Sequence, residues 1–278
     1  MKTIVLPDEL PIEKLQFVQV YDYNTKQEIT KQQIILNQNT FSFLAEGTKE
    51  VFFDSSALSI DNSSFLLMKA GHCLMTEKLS AVHNYRSILL FFPNEIVSKI
   101  MRKAAVKVIK GQINQSVYAF QYDAFIQRFV TSLLDISKLS RATQEKLLEV
   151  KLEEILLYLT EINGFDFLNS LLSNGSNNKQ KIIYTVESNL FSKLTIPELA
   201  FLCNMSVSTF KREFEKCYCD SPMKWFQNKR LEHAHYLIHQ EQKNASEIFL
   251  DIGYENLSSF IQAYKIKYGI TPGQDSKK

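Results

Sequence analysis

The spacing of apolar residues changes period along the chain. Between residue 15 and about residue 92 the runs are short. Thr40–Leu44 alternates, Val51–Phe53 and Ala57–Ile60 follow the turn-like EGTKE, Phe65–Met68 follows DNSS, and Ile88–Phe92 ends at Pro93. Turn signals repeating every ~8–12 residues predict a small antiparallel β-barrel or sandwich, cupin-like in outline. After Asn94 the period becomes helical. Phe125, Phe129, Leu133 and Ile136 mark one helix, and Leu148, Leu152, Ile155, Leu159 and Ile162 mark a longer one. The 4-3-4-3 spacing of that second set predicts a seam, either for a partner copy or for the barrel, with Leu147 and Leu156 widening the stripe towards the latter. Ser173–Gln180, SNGSNNKQ, holds no apolar residue and predicts a linker.

Beyond it, Ile182, Ile183, Val186 and Leu190 give an amphipathic helix, and Leu194–Pro222 predicts a helix, a tight turn and a second helix. Thr195 and Glu198 have capping-box spacing, Pro197 sits in the first turn, Asn204 tolerates a left-handed turn and Ser206 caps the second helix. Phe210 and Phe214 share the inner face, while Ser208, Lys211 and Arg212 point away, which suits a DNA major groove. Sliding the sequence by 50 residues lays Ser206, Phe210, Phe214, Tyr218 and Pro222 over Asn256, Phe260, Tyr264, Tyr268 and Pro272. Upstream the shift is 49, with Ile248 and Ile252 repeating Leu199 and Cys203, Gly253 replacing Asn204 and Asn244–Glu247 supplying the cap. Two helix-turn-helix modules are therefore expected. The helix between them spans ~27 Å at about 1.5 Å per residue, comparable with the ~34 Å between successive major grooves.

The 278 residues, 45% hydrophobic, leave room for two ordinary domains, and no run of 18 apolar residues exists. The N-terminus MKTIVLPDEL lacks the apolar core of a signal peptide, so a cytoplasmic protein without a membrane segment is expected. Cys73, Cys203, Cys217 and Cys219 have no framework spacing and are read as reduced thiols. Net charge is +2 overall and +3 from Lys179 onwards, so clustering matters more than the total. Lys211, Arg212, Lys216, Lys224, Lys229 and Arg230 fall close together, either as a DNA-facing patch or as a solvated face. No catalytic constellation emerges. His72 and His83 lack the pattern of a cupin metal site, Gly71-His72 reads as a turn, and His235 and His239 lack an intervening glutamate and an evident third ligand. No metal, cofactor or enzyme activity is assigned. The alternative left open is a barrel-based metal or small-molecule enzyme fused to a helical domain.

Leu199-Ala200, Ser206, Phe210, Phe214, Ser221-Pro222, Arg230-Leu231, Ala234, Ile248, Gly253-Tyr254, Phe260, Tyr264-Lys265, Tyr268-Gly269 and Thr271-Pro272 resemble the C-terminal domain of AraC/XylS transcriptional regulators. Cys219-Asp220 departs from it where a glycine is usual, and Gly273-Gln274-Asp275 lacks the family's last-turn arginine. Thr209-Phe210-Lys211, Ala234-His235 and Phe260–Tyr264 are similar to the ExsA-type activators of type III secretion genes, whose shape often answers to a protein partner. The resemblance implies that Ser208, Lys211 and Arg212, then Leu257, Ser258, Ile261 and Gln262, face base edges. Thr209, Lys216, Ser259 and Lys265 are better placed for phosphates. For Leu257 and Ile261 core packing is the competing reading.

The fold class expected is α+β. The domains are a β-barrel sensing domain over 1–110, a helical dimerisation region over 111–172 with Leu148, Leu152, Ile155 and Leu159 at its seam, a linker over 173–180, and a tandem helix-turn-helix domain over 181–278. The function expected is a sequence-specific transcription regulator, an activator, acting on double-stranded DNA as a homodimer. RNA polymerase is a further candidate partner, and a small-molecule or protein effector is left unassigned.

Overall fold

Alternating side chains in the N-terminal part put every second residue on the same side of a strand. The strands are β1 (Ile4–Leu6), β2 (Gln19–Thr25), β3 (Ile29–Leu36), β4 (Asn39–Glu46), β5 (Thr48–Phe52), β6 (Leu58–Ile60), β7 (Ser64–Met68), β8 (Gly71–Lys78) and β9 (Tyr85–Phe92). Helix α1 (Asn94–Lys103), strand β10 (Val117–Gln121) and helices α2 (Ala124–Ile136), α3 (Arg141–Asn163) and α4 (Asp166–Leu172) come next. The computed structural model describes residues 2–11, 17–103, 115–172 and 178–276, and the chain divides into two units, Met1–Ser176 and Asn177–Lys278.

The first unit contains two five-stranded sheets, ordered β1-β3-β8-β5-β6 and β10-β7-β4-β9-β2. Leu44, Leu66 and Met68 of the second sheet share a core with Ile34, Val51, Cys73 and Met75 of the first. On its other face Phe41, Phe43, Phe65 and Leu90 pack with Ile126, Phe129 and Leu133 of α2 and Leu148, Leu152 and Ile155 of α3. The second sheet is therefore a middle layer covered on both sides, which explains why β4, β7 and β9 are buried almost throughout. Between the sheets Lys49 and Glu77, opposed in the β5–β8 register, form an ion pair of 3.2 Å beside a cavity of about 170 Å³. Lys49 Nζ also donates to Ser42 Oγ at 3.1 Å, so the buried cation has a second polar partner.

Several expectations for this unit change. The α+β class holds, with the strands in two sheets as a sandwich, while β1 departs from the antiparallel expectation by running parallel to β3. Gly71-His72 begins β8, because its backbone pairs with β3 at Leu36 and Ile35. The 1–110 region includes helix α1, and the 111–172 region includes β10, which adds an edge to the second sheet by pairing with β7. Residues 104–114, across that boundary, lie outside those described. Leu148, Leu152, Ile155 and Leu159 are at most 2% exposed in the core of their own chain, so the seam is filled by the sheet and α2 and is closed to a second copy.

Candidate nucleic-acid interface

The second unit comprises α5 (Asn178–Ser188), α6 (Ile196–Leu202), α7 (Val207–Tyr218), α8 (Pro222–Gln240), α9 (Ala245–Ile248), α10 (Leu257–Tyr268) and α11 (Pro272–Asp275). Helix α5 starts inside the expected linker, at its first run of helix-forming residues, NKQK; 173–177 lie outside the described residues. The repeat holds element by element. Shifting α7 by 50 residues gives the bounds of α10, and the same shift carries the start of α8 onto the start of α11.

Both turns are built from backbone. Met205 N donates to Ala200 O at 2.9 Å in the first module, and Tyr254 N to Phe249 O at 2.9 Å in the second. Asn204 and Gly253 supply the left-handed residue, with φ of 58° and 84°. Both capping boxes form, at Thr195–Glu198 and at Asn244–Glu247. Ser206 accepts from Thr209 N at 3.2 Å and Asn256 from Ser259 N at 2.8 Å, fixing where each recognition helix begins.

Ser208, Lys211, Arg212 and Lys216 are exposed on α7, opposite the fully buried Phe210 and Phe214. Glu213 stands between two of them. Its carboxylate takes Lys216 at 2.9 Å and Arg212 at 3.2 Å, and those two cations hold it below the usual carboxylate range. Lys211 has no ion-pair partner among the described residues, so it is the cation most ready to leave water for a base or phosphate. Thr209 is half-buried, with its hydroxyl accepting from Ser206 Oγ at 2.9 Å. On α10, Ser258, Ser259, Gln262 and Lys265 are exposed and Ile261 is half-buried. Leu257 packs partly against the module's core, so that residue divides its surface between core and outer face.

By sequence Arg230 belongs to the basic cluster, and the structure moves it inside. Its guanidinium donates to Ser192 O at 2.8 Å, to Leu190 O at 3.3 Å and to Gly253 O at 3.3 Å, tying the approach to the first module to the turn of the second. Burial holds the group below the usual arginine range. A Cβ at position 253 would also stand 2.9 Å from Arg230 Cζ, so the guanidinium would have to shift. The two recognition helices thus sit on one frame, whose α8 of 19 residues is ~28 Å long at about 1.5 Å per residue.

Sequence reasoning also missed the cluster under α10. His235 and His239 of α8 stand 3.1 and 3.2 Å from Asp275 Oδ2 of α11, and Tyr264 OH of α10 donates to that same oxygen at 2.6 Å. Burial pushes the Asp275 carboxyl up, but Tyr264 and the two imidazoles outweigh it and leave it below its ordinary value. The i, i+4 histidine pair is visible in the sequence, whereas Asp275 is brought to it only by the fold.

Two capped helix-turn-helix modules locked on one frame, each with a polar helix face outward, define a double helix-turn-helix protein. Residues 199–278 match the family described as a helix-turn-helix domain, and residues 39–170 match the ExsA N-terminal regulatory domain. The chain thus carries an ExsA-type N-terminal regulatory domain and an AraC-type helix-turn-helix domain. It is 29% identical over 129 residues to the virulence regulon transcriptional activator VirF of Yersinia enterocolitica, covering 46% of this chain and 48% of that one. To the HTH-type transcriptional regulator ExsA of Pseudomonas aeruginosa it is 25% identical over 126 residues, 45% of each. The chain spans about half the length of the curated relatives it matches. Among solved structures it is similar to ToxT from Vibrio cholerae, with a TM-score of 0.40 and 12% identity over 95% of this chain and 96% of that one.

Proposed function

We propose that the protein is a sequence-specific DNA-binding transcription activator that places α7 and α10 in successive major grooves on one side of the duplex. The observation that carries this is the repeat itself: one frame presents two equivalent helices, each capped at its N-terminus and each with its polar residues outward. Ser208, Lys211 and Arg212, with Ser258, Ile261, Gln262 and the outer part of Leu257, read bases; Thr209, Lys216, Ser259 and Lys265 take phosphates. Activation is carried over from VirF, a transcriptional activator by name, and RNA polymerase is the partner that activation would call for. The N-terminal unit supplies control, as its match to a regulatory domain supports, whether the signal is a small molecule or another protein. With the inner seam of α3 filled, a homodimer would use outward residues such as Val150 and Leu157, which are 60% and 49% exposed. No helix among the described residues is long and apolar enough to cross a membrane, which fits work on cytoplasmic DNA.

The test is to sequence the genomic fragments retained by the full chain and footprint it on them. Two protected half-sites about 10 bp apart, on one face, are expected. A single short footprint, or retention without sequence preference, would overturn the two-groove reading.

A further inference from the structure

The two modules repeat position by position, and at one place the chemistry of four positions changes together. With the shift of 49 that holds upstream of the turn, Val186 and Leu190 of α5 and the segment after it correspond to His235 and His239 of α8. With the shift of 50 that holds beyond it, Phe214 and Trp225 correspond to Tyr264 and Asp275. In the first module this is an apolar junction, with Phe214 and Trp225 packed edge to face at 5.6 Å. In the second, two imidazoles, a carboxylate and a phenol converge. Packing needs alone do not call for that, because the same joint is closed by hydrocarbon one repeat earlier.

We propose that His235, His239 and Asp275 form a binding site for one transition-metal ion of the zinc(II) class, joining the spacer helix α8 to the C-terminal turn α11 beneath the second recognition helix. One ligand atom from each residue lies within 4.8 Å of the others. The separations of 3.1 Å (His235 Nδ1 to Asp275 Oδ2) and 3.2 Å (His239 Nε2 to Asp275 Oδ2) are close to the roughly 3.3 Å edge of a tetrahedron with bonds of about 2.0–2.1 Å. His239 Nε2 is buried, and although Asp275 is near, no hydrogen bond is made to it. That nitrogen, 3.2 Å from the carboxylate, is thus buried without an aligned partner by geometry. Imidazole nitrogens select zinc, nickel or copper over magnesium and calcium, which take oxygen. Access is available, since the His235 and His239 side chains are 41% and 31% exposed. Tyr264 is not a ligand. Its hydroxyl donates to Asp275 Oδ2 at 2.6 Å and lies 2.8 Å from His235 Nδ1, so it orients the ligand groups as an outer partner, and an ion would replace its contact with His235. A water would complete the four-coordinate ion.

The experiment is calorimetric titration of the metal-stripped full chain with zinc(II) alone. One ion per chain is expected at micromolar affinity or tighter, with the melting temperature of the C-terminal unit raised by roughly 10 °C at a hundredfold excess over Kd. His239→Gln and Asp275→Asn should each weaken binding by at least the ~10–100-fold that a lost outer partner costs, while Tyr264→Phe should retain the site with a smaller loss. No binding by the wild type, or equal affinity in both ligand variants, overturns the proposal. Should those variants fail to fold, cobalt(II) on the wild type decides. Visible bands of a tetrahedral nitrogen–oxygen site support it, whereas a thiolate charge-transfer band, placing the ion on Cys217 or Cys219, or no visible band at all, overturns it.

Discussion

The first and second helix-turn-helix modules share capping boxes, a left-handed turn residue and 12-residue recognition helices, yet they differ in where their polar groups are spent. In the first the charge is outside: Lys211, Arg212 and Lys216 line the face of α7, and the joint beneath is aromatic, with Phe214, Tyr218 and Trp225 in contact. In the second, positions 261 and 262 are Ile and Gln, Ile266 stands 78% exposed at the place of Lys216, and the ionisable groups are underneath α10. A duplicated scaffold can thus hold its backbone fixed while core and surface exchange roles. The first module is built for affinity to a polyanion, and the second for discrimination with little long-range attraction.

The modules act as one frame only if Arg230 holds them together, and this is where the comparison breaks most easily. Arg230→Met leaves the carbonyls of Leu190, Ser192 and Gly253 without their donor. A loss of about 3–5 kcal/mol is expected, read by urea unfolding with the single tryptophan, Trp225, as probe. If the modules stand independently, the loss will stay within ~1 kcal/mol and the midpoint will fall only by the small shift that loss implies.

The turns give a paired test. Gly253→Ala forces a side chain into left-handed backbone and against Arg230, which predicts a loss of roughly 2 kcal/mol. Asn204→Ala at the matching position meets only the backbone cost, eased already because asparagine tolerates this region, and about 1 kcal/mol is expected. Thermal or urea unfolding of the two variants side by side measures the difference, and equal losses would show that the contact with Arg230 contributes nothing.

These sites differ in how far the sequence disclosed them. Caps, turns and the apolar faces of α7 and α10 are set by residues within four positions of one another, so spacing alone revealed them, and the repeat doubled the signal. The roles of Arg230 and Asp275 depend on partners 11 to 40 residues away in the chain, which no local period encodes. Similarly β3 escapes the pattern because its pairing with β8 shifts register between Ile29 and Gln32, where Lys31 adopts a φ of 48° and breaks the alternation. The middle-layer position of the second sheet also hid the true partner of Leu148 and Leu152, since a stripe that packs on a sheet and one that packs on a second copy have the same spacing.

On DNA the asymmetry makes a further prediction. Arg212→Ala should cost roughly 1–3 kcal/mol at the cognate site and relax preference at one or two base pairs, by competition gel shift. Lys265→Ala should lower affinity evenly across sequences and reduce the salt slope by about 0.9, and an unchanged slope would remove Lys265 from the phosphate set. Glu213→Gln releases both Arg212 and Lys216 from their shared carboxylate, so the slope should steepen and non-specific binding rise. If the two cations point at DNA only when aligned by Glu213, the same variant will instead lose specific affinity.

The smallest effect separates the two C-caps. Gly269 ends α10 at a φ of 78°, whereas α7 ends on Cys219 in the same left-handed region, at a φ of 54°. A β-carbon there costs about 1–2 kcal/mol, and glycine returns part of it as extra freedom of the unfolded chain. Cys219→Gly should therefore stabilise the first module by about 0.5–1 kcal/mol, seen as a higher urea midpoint with an unchanged slope. Cys219 is exposed, so no core contact is lost with its thiol. A destabilised variant would mean that the cysteine side chain, unlike anything at Gly269, holds the α7–α8 corner in place, and the two modules would then differ in their backbone joints as well as in their chemistry.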